Sequence, residues 1–101
     1  MLNQGAQVTD PEKAARIFKI LSAPTRLRIV QLIRNKPMCV NALAARLGVT
    51  PAAVSQHLRV LRAADLVIPD KRGYYVHYRM NPKTLAGWRK LADELLGEGS
   101  G

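Results

Sequence analysis

Apolar residues recur along this chain at helical spacing, switch once to strand-like runs, and then return to helical spacing. Ala14, Ile17, Phe18 and Leu21 fall at i, i+3, i+4 and i+7, which puts them on one face of a first helix. Thr9-Asp10-Pro11-Glu12 reads as its start, with Thr9 as the expected cap, Glu12 three residues on and Pro11 in the first turn. Ser22-Ala23-Pro24 breaks this helix and opens a second. Leu27, Val30 and Ile33 line the second helix, and Ile29 and Leu32 widen its buried stripe. Asn35-Lys36-Pro37 ends it, because the residue before a proline is pushed out of the helical region. Val40, Leu43, Ala44 and Leu47 mark a short third helix, which Gly48 stops. Thr50 caps a fourth helix with Pro51 at its first position, and Val54, Leu58 and Leu61 form its core face.

The period then changes. Leu66 to Pro69 and Tyr74 to Met80 are rich in β-branched and aromatic residues, and Asp70-Lys71-Arg72-Gly73 lies between them. This predicts a two-stranded hairpin with a basic tip. Pro69 would remove one ladder donor and is expected on the open side of its strand. Asn81-Pro82 caps a last helix, with Leu85, Trp88, Leu91, Ala92 and Leu95 on its apolar face. The pattern gives a mainly α fold of about five helices with a small β-hairpin. One domain is expected over residues 9–96, between flexible tails at 1–8 and 97–101.

Composition narrows the class. At 101 residues with 48% apolar content, the chain can build one core but not a second, catalytic domain. The single cysteine allows no intramolecular disulfide, no run is long enough to span a bilayer, and the first residues lack a signal-peptide core. A cytoplasmic protein is expected. Sixteen Lys and Arg against 7 acidic residues give a net charge of +9, which suits a polyanionic partner.

The fourth helix carries the chemistry. Ala52, Ser55, Gln56 and Arg59 fall opposite its core face, and no acidic residue occurs from Thr50 to Ala64. Gln can bond an adenine edge bidentately, Ser can bond any edge, and small residues such as Ala52 and Ala53 permit close approach. Thr50 and the free N–H groups of the helix start suit a phosphate. Arg59, Arg62, Lys71 and Arg72 add phosphate-seeking charge, with Tyr74 beside them on the hairpin. Two helices joined by a tight glycine turn, then a basic hairpin, follow the winged helix-turn-helix order. The plain alternatives are an exposed surface helix and a solvated turn.

Three stretches are similar to a known family. They are Leu21-Ser22-Ala23-Pro24-Thr25-Arg26-Leu27-Arg28-Ile29, Val54-Ser55-Gln56-His57-Leu58-Arg59-Val60-Leu61-Arg62, and Tyr78-Arg79-Met80. In order and spacing they resemble the ArsR/SmtB (arsenic-repressor) family over about residues 12 to 96. The resemblance implies a homodimeric transcriptional repressor that occupies an inverted-repeat operator in double-stranded DNA. Asp65 departs from it, standing where the family usually has Gly. Asp tolerates the left-handed conformation better than most residues. The family's metal ligands do not carry over. Cys39 matches the first thiol of one site, but Asn41 stands in place of the second. Pro82, Lys83 and Thr84 occupy the start of the helix that supplies another site, and that helix contains no His. No metal and no cofactor is expected. His57 is expected to pack and hydrogen-bond locally, and His77 to be a strand residue.

Cys39 precedes a helix, a setting that favours thiolates, so a redox switch is one reading of it. The other is a small, partly buried apolar residue. Phe18, Leu21, Leu85, Trp88, Leu91, Ala92 and Leu95 exceed what so small a domain buries alone and are expected at a dimer interface, with Trp88 as anchor. The alternative is that all seven share one monomeric core. Single-strand RNA binding would call for more stacking aromatics than these. An enzyme is not expected: Ser55 and His57, two apart on a helix, do not face each other, and no phosphate loop or carboxylate pair is present.

Overall fold

The computed structural model describes residues 10–97. The elements run α1 (Pro11–Leu21), α2 (Pro24–Ile33), β1 (Met38–Cys39), α3 (Val40–Leu47), α4 (Pro51–Ala63), β2 (Val67–Arg72), β3 (Tyr75–Met80) and α5 (Pro82–Leu96). The five helices stand where the apolar spacing predicts them. The expected tail at residues 1–8 lies outside the described residues, as does the 97–101 tail beyond Gly97.

Prolines set the helix starts. Pro11, Pro24, Pro51 and Pro82 each begin a helix, so the residue before each is the cap. The cap of α1 is therefore Asp10 and not Thr9: the Asp10 carboxylate accepts from the amides of Glu12 (3.0 Å) and Lys13 (3.3 Å). Thr50 accepts from the amide of Ala53 (3.1 Å), and Asn81 from those of Lys83 (3.2 Å) and Thr84 (3.4 Å), as predicted. Two left-handed residues end the central helices. Gly48 (φ 68°) closes α3. Asp65 (φ 61°) closes α4, its amide bonding the Arg62 carbonyl at 2.9 Å while that of Leu66 bonds Leu61 at 3.0 Å. That pair of bonds is a Schellman closure, and it aims the chain straight into the hairpin.

The sheet differs from expectation in two ways. First, it has three strands in the order β1-β3-β2: Met38 pairs with Tyr78 and Cys39 with His77. The two-residue β1 is too short to show a period. Second, Asp70, Lys71 and Arg72 are strand residues opposite His77, Val76 and Tyr75, so the turn is only Gly73-Tyr74. Gly73 supplies the positive φ (64°) that a two-residue hairpin turn needs at its first position. Charged residues suit this strand because β2 is an edge, which also accommodates Pro69.

The core is one cluster: Ile29, Ile33, Met38, Leu43, Ala44, Val54, Leu58, Leu61, Leu66 and Val67. Val54, Leu58 and Leu61 turn inward as the spacing of α4 requires, each at most 1% exposed. On α2 the buried pair is Ile29 and Ile33, whereas Leu27, placed on the core stripe by sequence, is 43% exposed. The α5 helix has no fully buried residue, although Leu85 and Trp88 pack against the cluster.

Candidate nucleic-acid interface

Burying Val54, Leu58 and Leu61 fixes which way the rest of α4 points. Ala52, Ser55, Gln56, Arg59 and Arg62 are exposed, and Ala53 is half-buried at the flank. No other part of the described chain covers this outer face. Thr50 caps the helix with its hydroxyl oxygen, and its own hydroxyl hydrogen stays available to an acceptor. The α3 helix braces α4 from behind through Leu43 and Ala44, both buried in the shared cluster.

The hairpin stands beside α4. Lys71, Arg72 and Tyr74 are exposed, Tyr74 almost completely (99%). The basic tip is not all free charge: Arg72 Nη2 lies 3.3 Å from Asp70 Oδ2 in an exposed ion pair. Lys71 has no such partner among the described residues. Sequence reasoning passed over Tyr78 as a site residue. It lines one cleft with Ser55, Arg59 and Arg62, so the strand next to α4 contributes to the same surface. Its alternation with Met80, both packed against the core, was the available signal.

His57 sits on the α4 flank, half-buried, with Nδ1 3.3 Å from Arg26 Nη1. Arg26 in turn donates from Nε to the Ile20 carbonyl at 2.5 Å. The corner between α1 and α2 is thus tied to α4, a packing role of the kind expected for His57. His77 Nδ1 is buried without a hydrogen-bond partner among the described residues. Cys39 is a free, half-buried thiol that caps α3 without a side-chain hydrogen bond.

The residues expected at a dimer interface gather on one side, away from α4's outer face. Ile17, Phe18, Leu21, Leu27, Val30, Leu66, Leu85, Trp88, Arg89 and Ala92 line an apolar cleft of about 190 Å³ between α1, α2 and α5. Five of the seven expected residues are among them; Leu91 and Leu95 do not line the cleft. None of the seven is fully buried, and Phe18 (38%) and Leu95 (41%) count among the exposed apolar side chains.

A braced helix after a left-handed glycine turn, with a hairpin at its side, defines a winged helix-turn-helix protein. The family model for bacterial regulatory proteins of the arsR family matches residues 23–68. The arsenical resistance operon repressor of Escherichia coli (strain K12) is 39% identical over 80 residues, covering 78% of this chain and 68% of that one. A crystal structure of a possible transcriptional regulator for arsenical resistance matches with a TM-score of 0.70 at 44% identity, over 76% of this chain and 80% of that one. A third match is the NMR structure of the homodimeric winged helix-turn-helix DNA-binding domain of Mb0332 from Mycobacterium bovis. It gives a TM-score of 0.68 at 26% identity, over 95% of this chain and 94% of that one. The chain belongs to the ArsR family of transcriptional regulators. No helix among the described residues is long and apolar enough to cross a membrane.

Proposed function

We infer that the protein is a homodimeric repressor that reads an inverted-repeat operator in duplex DNA, in the cytoplasm where the chromosome lies. The observation that carries this reading is the outer face of α4. It is exposed, built of Ala52, Ser55, Gln56, Arg59 and Arg62, and free of acidic residues. A helix of that surface fits the major groove, where Gln56 and Ser55 can bond base edges and the arginines can reach phosphates. Thr50 and the N-terminal amides of α4 suit a phosphate, and Lys71, Arg72 and Tyr74 suit the neighbouring backbone and minor groove.

Dimerisation follows from the same economy of fold. One reading helix discriminates poorly, and a two-fold dimer sets two of them in successive major grooves about 34 Å apart. The side formed by α1, α2 and α5, with exposed Phe18 and Leu27 beside Trp88 and exposed Leu95 toward the end of α5, is apolar surface that a second copy would cover. The homodimeric state of the Mb0332 domain supports this assignment.

The effector is not one of the family's usual metals, because Asn41 replaces the second thiol beside Cys39 and Lys83 and Thr84 open α5. With one cysteine in the sequence, a redox role for Cys39 would proceed by oxidation of a single thiol or by pairing with a thiol of another molecule.

The test is selection of bound sequences from a random duplex pool by wild type and by the Ser55→Ala/Gln56→Ala variant. Wild type should enrich an inverted repeat, and the variant should relax at least one position per half-site. Identical selected sequences for the two proteins would refute the reading.

A further inference from the structure

We propose that the cleft between α1, α2 and α4 is a binding site for a small amphiphilic organic anion, a carboxylate on a short alkyl or single-ring body. Arg16, Lys19 and Ile20 of α1, Arg26 of α2 and Val60 of α4 line it, an open cleft of about 280 Å³. Three of these five residues are cations and none is acidic. The only ion pair among the described residues is Arg72–Asp70, so no carboxylate of the described residues neutralises Arg16, Lys19 or Arg26.

Arg26 makes the argument specific. It is half-buried, and charged groups withdrawn from water are ordinarily paired. Its protein contacts use Nε, to the Ile20 carbonyl, and one side of Nη1, to His57 Nδ1. Those two contacts orient the guanidinium plane, and no acceptor among the described residues meets Nη2. A fixed fork of donors is what a carboxylate recognises, and fixing it in advance lowers the ordering cost of binding. Lys19 and Arg16, both exposed, supply flexible charge at the rim.

The floor decides the rest of the ligand. Ile20, Val60 (37% exposed) and the aliphatic stems of the cations make an apolar surface that a bare phosphate would leave wet. A shallow cleft of this size, open to solvent, suits a small occupant rather than a drug-sized one. His57 and Val60 are neighbours at i and i+3 on the α4 flank, so the occupant would touch the helix that carries Gln56. The site stands on its own geometry and does not depend on what α4 binds.

The test is a titration of the DNA-free full chain, followed by backbone amide NMR, with octanoate, octanol, inorganic phosphate and a short DNA duplex as separate probes. Octanoate should shift the amides around Ile20 and Val60 saturably and bind at least about tenfold tighter than octanol, the margin expected for one charge-assisted hydrogen bond. Lys19→Gln and Arg16→Gln, both at exposed positions, should each weaken octanoate several-fold without altering the rest of the spectrum. Equal binding of octanol, no octanoate binding, or shifts confined to the Leu27/Trp88 cleft would overturn the proposal. So would shifts at Ile20 and Val60 produced by the duplex or phosphate but not by octanoate, which would make the cleft a backbone-phosphate contact. Because the readout needs no operator, failure here leaves the DNA-binding reading standing, and failure of that reading leaves this site standing.

Discussion

The Arg72–Asp70 pair gives the wing a graded electrostatic test. Lys71, near the end of β2, has no ion-pair partner among the described residues, whereas Arg72 shares its charge with a carboxylate 3.3 Å away. Lys71→Ala should remove one phosphate contact per protomer, hence two per dimer. Each contact contributes about −0.9 to the slope of log affinity against log salt, so the slope should become shallower by about 1.8. Between about 50 and 200 mM salt that difference means the mutant's deficit relative to wild type shrinks roughly twelvefold. Asp70→Asn has the opposite sign: it frees Arg72 and removes a negative charge beside the phosphates, so the slope should steepen, by at most about 1.8. The fold is not at stake in either case. The paired side chains are 56% and 41% exposed, and pairs of that kind are worth about 0–1 kcal/mol. The assay is fluorescence anisotropy of a labelled operator across that salt range. A wild-type slope for Lys71→Ala, or a shallower one for Asp70→Asn, would show that the wing tip does not lie against the phosphates and would confine the interface to α4.

Three further outcomes follow from burial and backbone geometry. Gln56→Ala should cost about 1–3 kcal/mol of operator affinity and relax one base position, as binding to single-base operator variants will show. Trp88→Ala, and separately Leu27→Glu at the exposed edge of the same cleft, should shift sedimentation toward monomer; an unchanged dimer in both would place the interface elsewhere. Asp65→Val should destabilise the fold by about 1–2 kcal/mol, because a branched side chain resists the left-handed conformation, while Asp65→Gly should not destabilise it. Urea melts of the two variants will check that ordering.

Much of this was legible in the sequence, for identifiable reasons. One-sided apolar spacing marks helices that pack on a single core, and α4 is the clearest case: three inward residues fix the outward ones. Asp65 was legible through the resemblance alone, as the residue standing where the family usually has Gly, and its left-handed conformation bears that out. Other features were not. The cap of α1 was misread although the rule that found Thr50 and Asn81, the residue before the first proline, also points to Asp10. The charges of Asp70, Lys71 and Arg72 look like a loop, but an edge strand tolerates them, and only the pairing shows where the turn begins. Leu27 falls on the apolar period of α2, yet its exposure depends on where α5 lies, which no local pattern encodes. The Arg26–His57 contact joins residues 31 positions apart, beyond the reach of any periodicity.

The shortest element has the widest consequence. Through β1, the segment that leads into α3 is hydrogen-bonded to β3, and Met38 is anchored in the core beneath it. Hairpin and helical pair are thereby stitched into a single rigid head. Tilting one against the other would break rungs and pull a buried methionine into water. In the dimer proposed above, control would then fall to a different variable: how far apart, and at what angle, the two heads are held.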